Sequence, residues 1–138
     1  PLSAYKNFSI YKLFILDIGL LCAMSELDAK TILDENNLFV EFKGALTEQY
    51  VLQQLICDTN YTPYYFGTDK ATFEQYFLIQ KENEIIPIEV KASTNVRSQS
   101  LKTFSEKYKP KLSVRFSLLP YCDQTWMINI PLFAVCNL

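Results

Sequence analysis

One short segment, residues 84–93, constrains the fold more than any other part of the chain. It reads EIIPIEVKAS, an apolar and largely β-branched run that ends with a carboxylate and an ammonium two residues apart. Side chains alternate across a strand, so Glu89 and Lys91 must project from one face while Ile88 and Val90 project from the other. Such a pair can hold a divalent cation and stabilise charge on a transferring phosphoryl group. It can equally be an ion pair at the end of an exposed edge strand, and the spacing leaves both interpretations open.

The composition bounds the remaining possibilities. A chain of 138 residues, 49% hydrophobic and 20% charged, suits one globular domain with a real core. With only three glycines it has no glycine-rich phosphate loop, so the sequence predicts no ATP site of the Walker type. The chain has no histidine and no CxxC pair, which excludes the common zinc arrangements and every histidine-dependent triad.

Cysteine usage and the chain start give two further expectations. Cys22, Cys57 and Cys136 stand in apolar contexts, and with Cys122 they predict free, mostly buried thiols in a reducing cytoplasm. The sequence shows no signal peptide or membrane span. It begins with Pro1, and its first residues already look structural, so we expect a piece of a longer protein.

Charge is unevenly distributed along the chain. The net charge of −2 predicts no general affinity for nucleic acid, but residues 91–138 hold seven Lys/Arg against two Asp/Glu. This basic cluster could bind phosphates locally, or it could be an ordinary solvated surface of a helix and turns. Its members are Lys91, Arg97, Lys102, Lys107, Lys109, Lys111 and Arg115.

Residue periodicity predicts mostly helix in the first part of the chain. Residues 11–17 read as a buried strand, followed by a short helix over 18–24. Residues 25–33 read as a turn and a second short helix with Asp28 as its N-cap. The most convincing helix covers 41–57, where apolar residues recur at helical spacing.

The period then changes to that of strands. Residues 61–66 predict a strand and 67–70 a turn, and strands over 73–80 and 85–92 are joined as a hairpin by the polar residues 81–84. A helix over 98–107 ends before Pro110. Strands follow over 112–118 and 126–130, separated by a turn around Pro120 and Asp123, and residues 131–135 close the chain as a short helix. This order predicts an α/β layer with a mixed sheet.

Two sequence segments carry a more specific resemblance. FKGALTEQYV, from Phe42 to Val51, and IPIEVKA, from Ile86 to Ala92, together with SLKTF at 100–104 and KYKPK at 107–111, resemble the C-terminal domain of bacterial and archaeal AAA-type ATPases. That domain is similar in turn to the PD-(D/E)xK, or restriction-endonuclease-like, nuclease superfamily. The resemblance covers nearly the whole chain, with residues 1–40 as lead-in and 41–138 as core. It implies a three-layer core whose mixed central sheet is flanked by helices.

The resemblance also implies roles for individual residues. Glu48 falls where the superfamily has its helix-borne acid, and Glu89 and Lys91 fall on the acid and lysine of the (D/E)xK motif. In active members these bind magnesium or manganese, with an aspartate from the preceding strand, and activate water against a phosphodiester. Here Tyr76 stands at that aspartate's position, and a phenol is a poor magnesium ligand at neutral pH. Glu74, on the same strand face roughly 7 Å away, is a possible substitute acid.

Three functional hypotheses follow. The chain is a C-terminal accessory domain of an AAA-type ATPase with a degenerate nuclease-like site, which binds its ATPase domain and makes residual nucleic-acid contacts through Lys91, Arg97, Lys102, Lys109 and Lys111. Alternatively, it is a metal-dependent nuclease that uses Glu48, Glu74, Glu89 and Lys91. The third hypothesis is a structural or oligomerisation module whose surplus aromatic residues form an interface.

Overall fold

A computed structural model of the protein describes residues 1–28, 30–31, 40–67, 76–94 and 97–138. A 3₁₀ helix at Leu2–Tyr5 begins this part of the chain, and another at Leu132–Asn137 ends it. The α-helices are α1 (Ile18–Met24), α2 (Val40–Asp58) and α3 (Gln99–Tyr108). The strands are β1 (Tyr64–Phe66), β2 (Tyr76–Lys81), β3 (Glu84–Val90), β4 (Val114–Ser117), β5 (Cys122–Gln124) and β6 (Met127–Pro131).

The strands form one mixed sheet in the order β1-β2-β3-β4-β6-β5. The pairs β1/β2, β2/β3 and β5/β6 are antiparallel, whereas β3/β4 and β4/β6 are parallel. The parallel pair β3/β4 needs a crossover connection, and α3 supplies it. The predicted order of helix, three strands, helix and strand is therefore confirmed.

Helices cover the sheet on both faces, which gives the three-layer α/β architecture predicted from the sequence. Val51 and Leu55 of α2 pack against Ile88 and Phe116 on one face, in the larger of two buried apolar clusters. On the other face, Leu101 and Phe104 of α3 pack with side chains of β2 and β6. Alternation along β3 therefore directs Ile88 toward α2 and Glu89 toward α3.

Several predicted elements are confirmed with shifted ends. The helices predicted over 18–24, 41–57 and 98–107 correspond to α1, α2 and α3, and the strand predicted over 85–92 to Glu84–Val90. The hairpin turn narrows to Glu82 and Asn83, because Lys81 and Glu84 already pair in the ladder. Residues 68–75, which hold most of the predicted turn and the start of the predicted 73–80 strand, lie outside the described residues. So do residues 29, 32 and 33 of the predicted turn and second short helix, although the Asp28 side chain accepts a hydrogen bond from the Lys30 amide, as a cap would.

The buried strand predicted over 11–17 is wrong. The segment pairs with no strand of the described sheet, and Leu13 and Leu16 are 85% and 90% exposed. Its apolar residues looked like a core strand, but its backbone is held by side chains of α2 instead of by a neighbouring strand. The predicted turn near Asp123 also contains a short strand, β5, which forms a hairpin with β6.

The cysteines are free, as predicted, but their predicted burial is wrong. Cys57, Cys122 and Cys136 are exposed and Cys22 is partly exposed. Cys57 and Cys136 stand within apolar sequence, yet each lies near the end of its helix, on a side exposed to solvent.

The end of α3 offers a direct test of local backbone strain. Lys109 caps the helix in the left-handed conformation, with φ 48° and ψ 51°, and its amide donates to the Ser105 carbonyl at 2.9 Å. Glycine adopts this conformation without the steric cost that a Cβ imposes. We expect Lys109→Gly to raise the free energy of unfolding by about 0.5–1 kcal/mol, measured by urea denaturation. Lys107→Gly, inside the same helix, should lower it by a similar amount.

Candidate functional site

A row of polar side chains crosses the centre of the sheet on the face that α3 covers. Glu89 of β3 is in register with Arg115 of β4, and Arg115 is in register with Asn129 of β6. All three are buried, in strands that are otherwise largely apolar. Parallel pairing brings them together from three distant parts of the chain, so the row exists only in the folded protein.

The Arg115 guanidinium is fixed by neutral partners. Its Nε donates to Asn129 Oδ1 at 2.8 Å, and one terminal nitrogen donates to the hydroxyl of Ser98, the N-cap residue of α3, at 3.0 Å. Burial lowers the pKa of Arg115 from its ordinary value, and the neighbouring Glu89 charge opposes that shift. Because the ordinary value is so high, Arg115 stays a cation at neutral pH.

Asn129 is the centre of this network. Its side-chain oxygen also accepts from the Ser117 hydroxyl at 2.7 Å, and its amide nitrogen donates to the carbonyls of Leu119 and Pro120 at 3.1 and 2.9 Å. Both hydrogens and both lone pairs of the amide are therefore used. This side chain ties β4, β6 and the turn after β4 together.

Glu89 pairs with one cation and stands in register with a second. Only 4% of the residue is exposed, and its Oε1 lies 3.4 Å from Lys91 Nζ. Its Oε2 is buried and has no hydrogen-bond partner among the described residues. Lys91, about one-third exposed, is the member of the pair that reaches solvent. The predicted pairing of Glu89 and Lys91 on one face is thus present, and Arg115 adds a second positive charge that the sequence analysis did not place there.

Glu48 has a different neighbourhood. Its carboxylate forms an ion pair with Lys12 of the lead-in segment, and its helix, α2, packs on the face of the sheet opposite to the Glu89 side chain. Burial and then the Glu48 charge raise the pKa of nearby Tyr65. The described contacts bring Glu48 to Lys12 and not to Glu89, so a site shared by Glu48 and Glu89 stays a prediction without an observed contact.

The described residues do not by themselves make a magnesium or manganese site. No group of three acidic, histidine or cysteine side chains able to hold a metal ion occurs within the described ranges. Near Glu89 they supply one carboxylate and two cations, whereas magnesium prefers several oxygen ligands. Glu74 and the side chain of Tyr76 lie outside the described part of the chain, so the substitute acid and the missing aspartate stay predictions.

The basic cluster is less uniform than its sequence suggested. Lys111 pairs with Glu84 at 2.6 Å, and Lys102 lies 4.0 Å from Glu106. Arg115 is buried and cannot meet an external phosphate. Exposed positive charge does remain on this side of the domain, at Arg97, Lys107 and Lys109.

Sequence reasoning missed the roles of Arg115 and Asn129. Both had a detectable signal, since Arg115 is the single charged residue in SVRFS and Asn129 is the single polar residue in WMINI. The count of Lys and Arg over residues 91–138 places Arg115 with the surface lysines, because a count does not consider that Arg115 lies within a predicted strand. A lone cation at the centre of a strand predicts a buried partner rather than a phosphate ligand.

The comparisons with known proteins define the class of the chain. Its fold is a three-layer α/β domain with a buried polar row, and the described residues include no helix long and apolar enough to cross a membrane. A family model described as "Domain of unknown function (DUF4143)" matches residues 43–133, about two-thirds of the chain. The chain belongs to this family. No curated protein and no solved structure matches it.

Proposed function

We propose that this chain is a C-terminal accessory domain of an AAA-type ATPase, with a nuclease-like site that serves binding or assembly rather than catalysis. Family membership supports the first part, because domains of this family are often found with AAA-type ATPases. The partner in this proposal is the ATPase domain, in the cytoplasm.

The element order supports the likeness to the PD-(D/E)xK core. A helix, an antiparallel run of three strands, a crossover helix and a parallel fourth strand follow one another, which is compatible with the helix-flanked mixed sheet that the resemblance implies. The Glu-x-Lys pair stands at the end of the third of these strands. Fold alone does not define activity, so whether this site can catalyse depends on the charges of its residues.

One observation carries the proposal against catalysis: the buried Glu89 carboxylate forms an ion pair with Lys91, and the Arg115 cation stands beside it in register on the neighbouring strand. A carboxylate that one protein cation already compensates gains less from a divalent cation, and the divalent cation meets repulsion from both Lys91 and Arg115. Tyr76 at the aspartate position removes a further negative charge. The two positive charges and the missing carboxylate together favour a site that is stable without a metal ion.

Two alternatives each have an observation in their favour. The buried, unpartnered Oε2 of Glu89 is an acceptor that a cation could occupy, which favours a nuclease using Glu48, Glu74, Glu89 and Lys91. Exposed apolar side chains such as Phe8, Leu16 and Phe133 favour an oligomerisation module. Nucleic-acid contact through Lys91, Arg97, Lys102, Lys109 and Lys111 remains compatible with the first two functions.

The experiment compares the native chain with Tyr76→Asp and Lys91→Ala on plasmid and single-stranded DNA and RNA, with magnesium and with manganese. We expect no metal-dependent cleavage above background from the native chain or from Lys91→Ala. Tyr76→Asp would restore one anionic ligand, and any gain should appear in that variant alone. Fragment analysis on gels measures cleavage, and fluorescence anisotropy at two salt concentrations measures DNA binding.

Cleavage by the native chain that Lys91→Ala abolishes would establish the nuclease alternative. Salt-sensitive DNA binding without cleavage would support a binding domain. Absence of both, together with a concentration-dependent increase in mass in sedimentation, would favour the oligomerisation module.

A further inference from the structure

The lead-in segment 12–18, here called the strap, is attached to one face of α2 mainly by polar contacts. Lys12 forms its ion pair with Glu48. Gln49 accepts from the Ile15 amide at 3.0 Å and donates to the Ile15 carbonyl at 2.6 Å, as a neighbouring strand would.

The attachment continues one turn further along α2. Gln53 accepts from the Ile18 amide at 2.8 Å and donates to the Asp17 carboxylate at 3.0 Å. Asp17 in turn caps α1, and the hydrogen bonds from the Leu20 amide and from Gln53 lower its pKa. The strap is therefore anchored at three successive points along one helix face.

Apolar packing of the strap is partial, since Phe14, Ile15 and Ile18 are only half-buried. Phe14 contacts Phe77, with ring centroids 5.7 Å apart, but Leu13 and Leu16 are almost fully exposed. Hydrogen bonds exchange with water at small net cost, whereas a buried apolar face does not. A segment held this way opens at a lower free energy than the central sheet.

We propose that the strap is a detachable cover that opens as one unit and controls access to Glu48. In the closed state, the Lys12 ammonium forms an ion pair with the Glu48 carboxylate. The same ammonium lies over the rings of Phe14 and Tyr65, 5.4 and 5.9 Å from their centroids. Opening removes that cation and leaves Glu48 accessible, and it takes the Phe14 ring away from Phe77. The device is independent of whether the domain cleaves nucleic acid.

Amide hydrogen exchange of the 138-residue chain tests the proposal. The Ile15 and Ile18 amides should exchange at least about tenfold faster than amides of β3 and β4, because they open locally. Gln53→Ala should accelerate exchange at the distant Ile15 amide as well as at Ile18. Gln49→Ala should likewise accelerate exchange at the distant Ile18 amide as well as at Ile15. Gln54→Ala, the same change one position along the helix, is the matched control and should leave both amides unchanged.

Carbodiimide labelling of carboxylates provides the second readout. Glu48 should be labelled several-fold faster in Gln49→Ala and Gln53→Ala, while exposed Glu106 keeps its native rate. Because Gln53 is only partly buried and anchors the strap without touching Glu48, Gln53→Ala keeps the test available if Gln49→Ala fails to fold.

Exchange of Ile15 and Ile18 at the rate of the central strands would overturn the proposal. So would acceleration confined to the amide next to each substitution, because the segment would then not open as a unit. Neither readout depends on cleavage, so failure here is distinguishable from failure of the proposed function.

Discussion

Replacing Arg115 with methionine is expected to lower the free energy of unfolding by about 3–5 kcal/mol. Methionine fills similar volume, but Asn129 Oδ1 and the Ser98 hydroxyl each lose a donor, and the buried Glu89 carboxylate keeps Lys91 as its ion-pair partner but loses the positive charge beside it on β4. Unsatisfied buried polar groups and lost compensation of a buried charge cost more than a lost surface contact. Urea denaturation followed by circular dichroism measures the change.

The double variant Arg115→Met/Glu89→Gln separates charge from packing. Neutralising Glu89 removes the buried charge that has lost its neighbouring cation on β4, so the double variant should be more stable than Arg115→Met alone. Arg97→Met, at an exposed position, is the matched control and should change stability by no more than about 0.5 kcal/mol. A loss for Arg115→Met no larger than that of the control would show that Arg115 does not compensate Glu89.

Truncation of Asn129 to alanine is expected to cost about 3 kcal/mol or more, because it removes the partner of several buried groups at once. The carbonyls of Leu119 and Pro120 lose their donor, and Arg115 Nε loses its acceptor. Each unsatisfied buried group costs roughly 1–3 kcal/mol, and water entering the new space recovers part of the total. The midpoint of thermal unfolding should fall accordingly.

Asn129→Asp distinguishes the accepting role from the donating role. Aspartate still accepts from Arg115 and Ser117, but it cannot donate to the two carbonyls. Asn137→Ala, exposed near the chain end, serves as the control and should be close to neutral. If Asn129→Ala is as mild as that control, the network is not a main determinant of stability.

Local sequence determined most of the secondary structure. The helical spacing of apolar residues in α2, the hairpin around Glu82 and Asn83 and the strand Glu84–Val90 were all readable, because each depends on neighbours within a few residues. The same local rule put Glu89 and Lys91 on one face. It failed for residues 11–17, where an apolar run suggested a strand although the backbone bonds with glutamines of α2.

Tertiary structure alone decided what surrounds those residues. Parallel pairing joins Glu89 to Arg115, 26 positions later, and Arg115 to Asn129, and no local pattern encodes that register. The tertiary structure also pairs Glu48 with Lys12, which lies 36 positions earlier in the chain. The sequence by itself determined which residues are charged and which face of a strand each takes, because alternation is a property of the backbone. Only the folded chain decided which charges neutralise one another, because that depends on how distant segments meet.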